Sequence, residues 1–447
     1  MSSTSDGKTP ARTGIRRSLL RLQALPQALL SLLLAFALCV GVPTAEVFAD
    51  VRPSDRIEQE SVETFASATD DIPDIVADFA GVCTADGRML WSRDAATPTP
   101  MASTTKIMTA LIALENSTPD TPMVVTVGAA SVEGSSAYLR AGTTLTLRDL
   151  LYCLMLPSGN DAATVIAENV SGSTFAFIDL MNQKAVELGM VNTQYADVHG
   201  LADENHLTTV SDYLILTRHA MQDPLFREVV GTQEKTINID GEDVTYTSSN
   251  LLLGRMEGAT GVKTGFTTLA GYCLVASATR GGQEFYAAVF HSSTETQRFD
   301  DAQLLLEWAF RHYRSVELIN ATQQVGVMGL SNWIDKSVEV YVPTPVRADI
   351  FDLGGPITQE VELNDWDGRI IKGEACGTII WTQQGEVLAR SNLVAASTQH
   401  EPDFWQGLQI MWSRFIGGFS NQPTHIPTTI DLPEVLSVPI ATASEQR

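Results

Sequence analysis

Positive charge is scarce in this 447-residue sequence: 29 lysines and arginines stand against 53 aspartates and glutamates, a formal net charge of −24 at pH 7. A surface of that sign excludes a nucleic-acid partner, because phosphate binding needs basic groups. Cysteine is sparse too. Five are scattered with no close pair, which gives neither a disulfide framework nor a zinc pattern. Cys83, Cys153, Cys273 and Cys376 read as buried free thiols. The seven histidines include no H-E-x-x-H pair, which argues against a zinc peptidase of that type. A G-x-S-x-G elbow is missing as well, against a Ser-His-Asp hydrolase. No apolar run reaches the roughly 18 residues that a membrane span needs. No internal repeat occurs.

What is present is a core-forming composition, 44% hydrophobic and 18% charged, in a chain longer than one compact domain requires. At the N-terminus, Lys8, Arg12, Arg16, Arg17 and Arg21 precede an apolar run from Ala28 to Val42, broken only by Ser31 and Gly41. Val47-Phe48-Ala49 then resembles a small-residue cleavage site. Basic, apolar, small is the order of a secretory signal. Residues 1–49 are therefore expected to be a signal peptide that includes Cys39, and the body of the protein to lie outside the cytoplasm. Residues 50–72 are acidic and weakly patterned, as in a linker.

Strand-like runs flank a turn at Asp86-Gly87. Helical spacing follows over 103–115, 148–156, 161–169, 174–188 and 211–221, the last with Ser211 as its cap. Short β-branched and aromatic runs over 235–239, 261–264, 272–278 and 285–291 read as strands, before a long helix over 295–313. This order predicts an α/β fold of the α+β type over residues 73–315, an antiparallel sheet beside a helical cluster. Residues 316–400 read as a small all-β domain. Over 404–419, the 100° advance per residue gathers Phe404, Trp405, Leu408, Met411, Trp412, Phe415, Ile416 and Phe419 on one arc of about 140°. Ile410 strays from it. Residues 401–419 thus form an amphipathic helix suited to a membrane interface, and residues 420–447 are expected to be disordered.

Three short motifs carry chemistry. In Ser103-Thr104-Thr105-Lys106, a lysine one helical turn from a serine shares its face. A serine hydroxyl is a poor nucleophile until a base takes its proton, and a desolvated lysine serves as that base. A helix start adds a free backbone N–H for an oxyanion. Alone the pattern is weak, since Ser5 and Lys8 match it in the leader. The second motif, Ser158-Gly159-Asn160, follows Pro157 and sets a hydroxyl and an amide to point into one cleft; Ser248-Ser249-Asn250 is a decoy. The third, Lys263-Thr264-Gly265, occurs once. On a strand Lys263 and Gly265 share a face, a cation beside a hydroxyl suits a carboxylate, and Gly265 lets a substrate lie along the strand edge.

S-x-x-K, S-x-N and K-T-G in that order are the signature of serine β-lactamases and penicillin-binding proteins. The flanks Met101-Ala102 and Ile107-Met108, Leu156-Pro157 and Asp161-Ala162-Ala163, and Gly261-Val262 and Phe266-Thr267 resemble the low-molecular-mass D-alanyl-D-alanine carboxypeptidases. Val198-His199-Gly200-Leu201, Ala270-Gly271-Tyr272 and Arg298-Phe299-Asp300 extend the resemblance. It implies a β-lactamase/transpeptidase-like domain that removes the last D-alanine from peptidoglycan stem pentapeptides. By that resemblance Ser103 forms the acyl-enzyme, Lys106 is the general base and Ser158 relays a proton. Asn160 binds the substrate backbone, and Lys263 and Thr264 bind its carboxylate. Ser103 and Phe266 give oxyanion-hole N–H groups beside Gly265. β-Lactams acylate the same serine, the C-terminal helix meets the outer face of the membrane, and the resemblance implies no metal and no cofactor. His199 reads as structural. A class A β-lactamase also needs an E-x-x-L-N segment, which is not found between Asn160 and Lys263. A non-catalytic scaffold of the same fold is the other alternative.

Overall fold

The apolar runs over 271–280 and 283–292 are buried on both sides because they form the middle of a sheet covered twice. In the computed structural model, which describes residues 57–60, 71–201, 204–321, 323–364, 366, 368–418 and 425–432, five strands pair antiparallel. Their order is Ala259–Thr267, Gly271–Arg280, Gln283–Ser292, Phe79–Thr84, Met89–Arg93. Alternate residues serve opposite cores, as the period of two requires. Cys273, Val275, Tyr286, Ala288 and Phe290 face the helical cluster. Leu274, Ala276, Ala278, Phe285, Ala287 and Val289 face the long helix Glu295–His312. Each fully buried Val, Leu or Phe side chain there stabilises the fold by about 1.5–3 kcal/mol.

The helical cluster includes Lys106–Asn116, Leu147–Met155, Asn160–Ser171, Thr174–Glu187 and Val210–Ala220. The last is capped by Thr209, whose hydroxyl accepts from Asp212 N. Ser211, the expected cap, lies two residues further in. A further hairpin, Glu234–Ile239 with Glu242–Thr247, completes the strand expected near 235–239. Cys83, Cys153, Cys273 and Cys376 are free and buried.

The C-terminal β region is built on a seven-stranded sheet in the order Ile57–Glu60, Ile357–Leu363, Ala375–Gln383, Glu386–Ala395, Ser337–Tyr341, Gln324–Gly329, Thr429–Ile430. Both outer strands correct the sequence reading. Residues 57–60, expected within a linker, pair with Ile357–Leu363. Residues 429–430, expected in a disordered tail, pair with Gln324–Gly329, and Leu432 is buried in the β core. Edge backbone groups supply hydrogen bonds that the side-chain pattern of a four- or two-residue strand does not announce. The signal-peptide expectation and most of the linker lie outside the described residues.

The helix Phe404–Gly417 opens on a capping box between Asp403 and Gln406. Its orientation is inverted relative to an ordinary surface helix. Ile410 packs against the β core, and Arg414 donates to Ser331 O and Trp333 O. Phe404, Trp405, Leu408, Met411, Trp412, Phe415 and Ile416 are exposed. No described helix is long and apolar enough to cross a membrane.

Candidate active site

Ser103 lies in a 3-10 turn, Ala102–Thr105, that runs into the helix beginning at Lys106. The tighter 3-10 winding nearly eclipses residues three apart, and Lys106 Nζ accordingly donates to Ser103 Oγ at 2.9 Å. Ala102, just before the nucleophile, holds a left-handed φ of 47°, a conformation that costs an alanine roughly 1 kcal/mol. Two glycines close on this turn. A Cβ on Gly265 would come within 3.0 Å of Ser103 N and 3.1 Å of Met101 O, and one on Gly200 would overlap Ala102 O. Backbone from two distant segments therefore sets the turn's shape.

Lys106 is fully buried. Beyond Ser103, its ammonium donates to Asn160 Oδ1 at 2.7 Å and to His199 O at 2.8 Å. Burial brings its pKa down to about 7, against the opposing pull of Asp197 and Asp161. A lysine so poised holds or gives up a proton near neutrality.

Ser158 has a positive φ of 63° and a buried Oγ with no hydrogen bond among the described residues. Asn160 opens the helix Asn160–Ser171. Its Nδ2 donates to Glu133 O and its N–H to Ser135 O, so its amide spans Lys106 and the 133–135 loop. Asp161 continues the work inward. Buried, it accepts from Ser136 Oγ, Ala137 N and Leu139 N and fixes that loop beside the cleft.

Lys263 is buried and donates to Thr264 O. Burial, then the neighbouring charges of Lys106 and Arg298, push its pKa well below the usual lysine value. Thr264 Oγ1 lies 2.7 Å from Ser249 Oγ, and Ser249 N donates to Leu156 O. The decoy serine of the sequence thus ties the K-T-G strand to the S-G-N turn. Arg298 donates to Gly265 O and lies over Tyr272, whose ring lies tilted against half-exposed Phe266 with centroids 4.3 Å apart.

His199 contributes its backbone. Its side chain sits with Nδ1 3.2 Å from Asp197 Oδ2, and Asp197 also accepts from His199 N and Gly200 N. Burial raises the Asp197 pKa, but the His199 hydrogen bond and charge outweigh it and hold the carboxyl well below its ordinary range. The three motifs named from sequence thus meet around Lys106. Sequence reasoning missed Asp161, Ser249 and the backbone carbonyl of His199. Asp161 was visible beside the S-G-N motif; a carbonyl leaves no mark in a side-chain pattern.

Residues 67–294 match the profile of the D-alanyl-D-alanine carboxypeptidase family. The D-alanyl-D-alanine carboxypeptidase DacF of Bacillus subtilis (strain 168) is 30% identical over 331 residues, which cover 71% of this chain and 84% of that protein. Among solved structures, the Streptomyces K15 DD-transpeptidase matches with a TM-score of 0.52 and 34% identity, over 54% of this chain and 99% of its own. The D-alanyl-D-alanine carboxypeptidase DacD of Francisella tularensis matches with a TM-score of 0.56 and 25% identity, over 75% of this chain and 99% of its own. With its site geometry and this breadth of likeness, the chain belongs to the D-alanyl-D-alanine carboxypeptidase family of serine peptidases.

Proposed function

We propose that this protein removes the terminal D-alanine from peptidoglycan stem peptides through an acyl-enzyme on Ser103. The observation that carries the reading is the buried Lys106 ammonium 2.9 Å from Ser103 Oγ with its pKa near 7. Neutral Lys106 takes the hydroxyl proton as Oγ attacks the penultimate carbonyl. The N–H groups of Ser103 and Phe266 hold the oxyanion. Ser158 passes the proton to the departing D-alanine amine, and water then attacks the ester with Lys106 again as base. Lys263 and Thr264 take the substrate carboxylate, and Asn160 orients the peptide. Two features support these roles: the Ser158 hydroxyl, without a hydrogen bond among the described residues, and the close packing of Gly265 against the Ser103 turn, which brings the K-T-G strand to the nucleophile. A β-lactam, with its strained amide in place of the peptide, acylates Ser103 and stays bound.

The domain reading belongs with this function. A catalytic domain over 73–315 is followed by a β domain over 316–400 and a membrane-associating helix over 401–419. The signal-like residues 1–49 support export, and substrate outside the cytoplasm requires it. The helix Phe404–Gly417 supports peripheral membrane attachment, since Ile410 and Arg414 meet protein and its aromatic side is exposed.

A labelled penicillin tests the reading. Wild type forms a covalent adduct and releases D-alanine from a pentapeptide ending in D-Ala-D-Ala; Ser103→Ala does neither. Failure of the wild type to form an adduct, or equal labelling of Ser103→Ala, overturns it.

A further inference from the structure

Behind the nucleophile turn, out of reach of substrate, His206 is buried between two segments that both touch the catalytic pair. Its Nδ1 accepts from Ala196 N at 2.9 Å, so the ring proton sits on Nε2. Nε2 is 2.7 Å from Thr105 Oγ1, and Thr105 Oγ1 in turn donates to Ala102 O at 2.7 Å. A hydroxyl that spends its proton on a carbonyl is left to accept, so the direction runs from Nε2–H to Thr105 to Ala102. Tyr195 meets the ring edge-on, which fixes its plane.

The two ends of this chain matter. On one side it grips Ala196, at the head of the loop whose His199 O accepts from Lys106 Nζ and whose Gly200 abuts Ala102. On the other it grips the carbonyl of Ala102, the left-handed residue before Ser103. The loop thus orients the base and the turn orients the nucleophile. Lys106 bonds to both from the cleft side; His206 bonds to both from behind.

We propose that His206 is a positioning residue for acylation. It clamps the 196–200 loop to the Ala102–Thr105 turn through Thr105, and so fixes the geometry of Ser103 against Lys106. It forms no bond to substrate and moves no proton in the reaction. A misplacement of the reacting groups by a fraction of an ångström lowers the chemical step far more than binding. The proposal rests on the acyl-enzyme reading above and names what holds that site in register.

The test measures acylation by a labelled penicillin in the full chain, resolving the encounter constant from the acylation rate constant. Variants are His206→Ala, His206→Gln, Thr105→Val and the double variant His206→Ala/Thr105→Val. His206→Ala is expected to slow acylation by about tenfold or more with the encounter constant within about twofold. Glutamine offers an acceptor to Ala196 N and a donor to Thr105, so His206→Gln is expected to recover most of the rate. The double variant is expected to lose no more than the worse single one, since both cut one chain. Should His206→Ala fail to fold, His206→Gln and Thr105→Val, with melting temperatures matched to wild type, still decide it. Wild-type rates in Thr105→Val, or additive losses in the double variant, overturn the proposal, as does a His206→Gln as slow as His206→Ala. A wild type that forms no adduct at all sinks the acyl-enzyme reading instead.

Discussion

Lys106 is the residue on which burial has the clearest chemical consequence. It is fully enclosed, and its hydrogen bonds to Ser103, Asn160 and His199 O hold its ammonium in place. Its depressed pKa means that the neutral, proton-accepting form grows as pH rises through about 7. Penicillin acylation rates should therefore climb with pH to a plateau with a midpoint near 7, and a rate flat from pH 6 to 8 would contradict Lys106 as the base. Lys106→Arg, charged throughout that range, should form no adduct. The same lowered pKa opposes folding: the penalty is full below about 7 and fades as pH approaches the ordinary lysine value. The cysteines are a second residue-scale case. Burial pushes the thiols of Cys83, Cys153 and Cys273 up to about 12 and that of Cys376 to about 11. These four should resist a thiol reagent in the native protein and label once denaturant is added. Rapid native labelling would show that they are not enclosed.

At the scale of elements, two contacts decide behaviour. The strand Ala259–Thr267 meets the nucleophile turn through Gly265, where an added Cβ would press on backbone atoms of Ser103 and Met101. Backbone yields less readily than a flexible side chain. Gly265→Ala should cut the acylation rate by about tenfold or more while the β region keeps its fold, as read by labelled penicillin alongside circular dichroism. The helix Phe404–Gly417 is the other case. Trp405 is 74% exposed and Trp412 61%, too much aromatic surface to stabilise the isolated molecule. The double substitution Trp405→Ser/Trp412→Ser should leave the melting temperature within about 1 °C, because exposed side chains contribute little to folding. It should also lower partition onto lipid vesicles by tenfold or more. Unchanged partition would remove the helix as the anchor.

At the scale of the whole molecule, the junction after the long helix is held by charge. His312 sits with Nδ1 2.8 Å from Asp352 and Nε2 2.7 Å from Asp71, while Arg311 also reaches Asp71 and Arg314 lies 3.8 Å from Asp352. Burial alone would lower the His312 pKa, but its bonds to Asp352 and Asp71 overcome this and raise it. Protons are therefore bound more tightly in the folded state. The resulting stabilisation is complete below the ordinary histidine value and is lost as pH rises through the raised one. His312→Gln should lower the melting temperature by a few degrees at pH 6 and by less at pH 9. A deficit that grows with pH would reverse the assignment. Asp71 comes from the segment before the catalytic sheet and Asp352 from the β region, so one imidazole joins chain segments far apart in sequence.

The sequence by itself determined the chemistry and most elements. Ser103 with Lys106, Ser158 with Asn160, and Lys263-Thr264-Gly265 are local patterns whose order is readable without coordinates. Apolar runs and helical spacing likewise follow from local periodicity. The tertiary structure decided everything that depends on distant backbone. It made Ser249 a partner of Thr264, turned the carbonyl of His199 toward Lys106, and set His206 behind the nucleophile. It also added residues 57–60 and 429–430 to one sheet, since edge pairing uses main-chain groups common to every residue. Ile410 shows the division most simply. Periodicity marked it as the apolar residue off the arc; packing on the β core made it the docking contact and left the arc exposed. A helix's two faces are written in its sequence, but which of them meets protein depends on the surface offered by the rest of the fold.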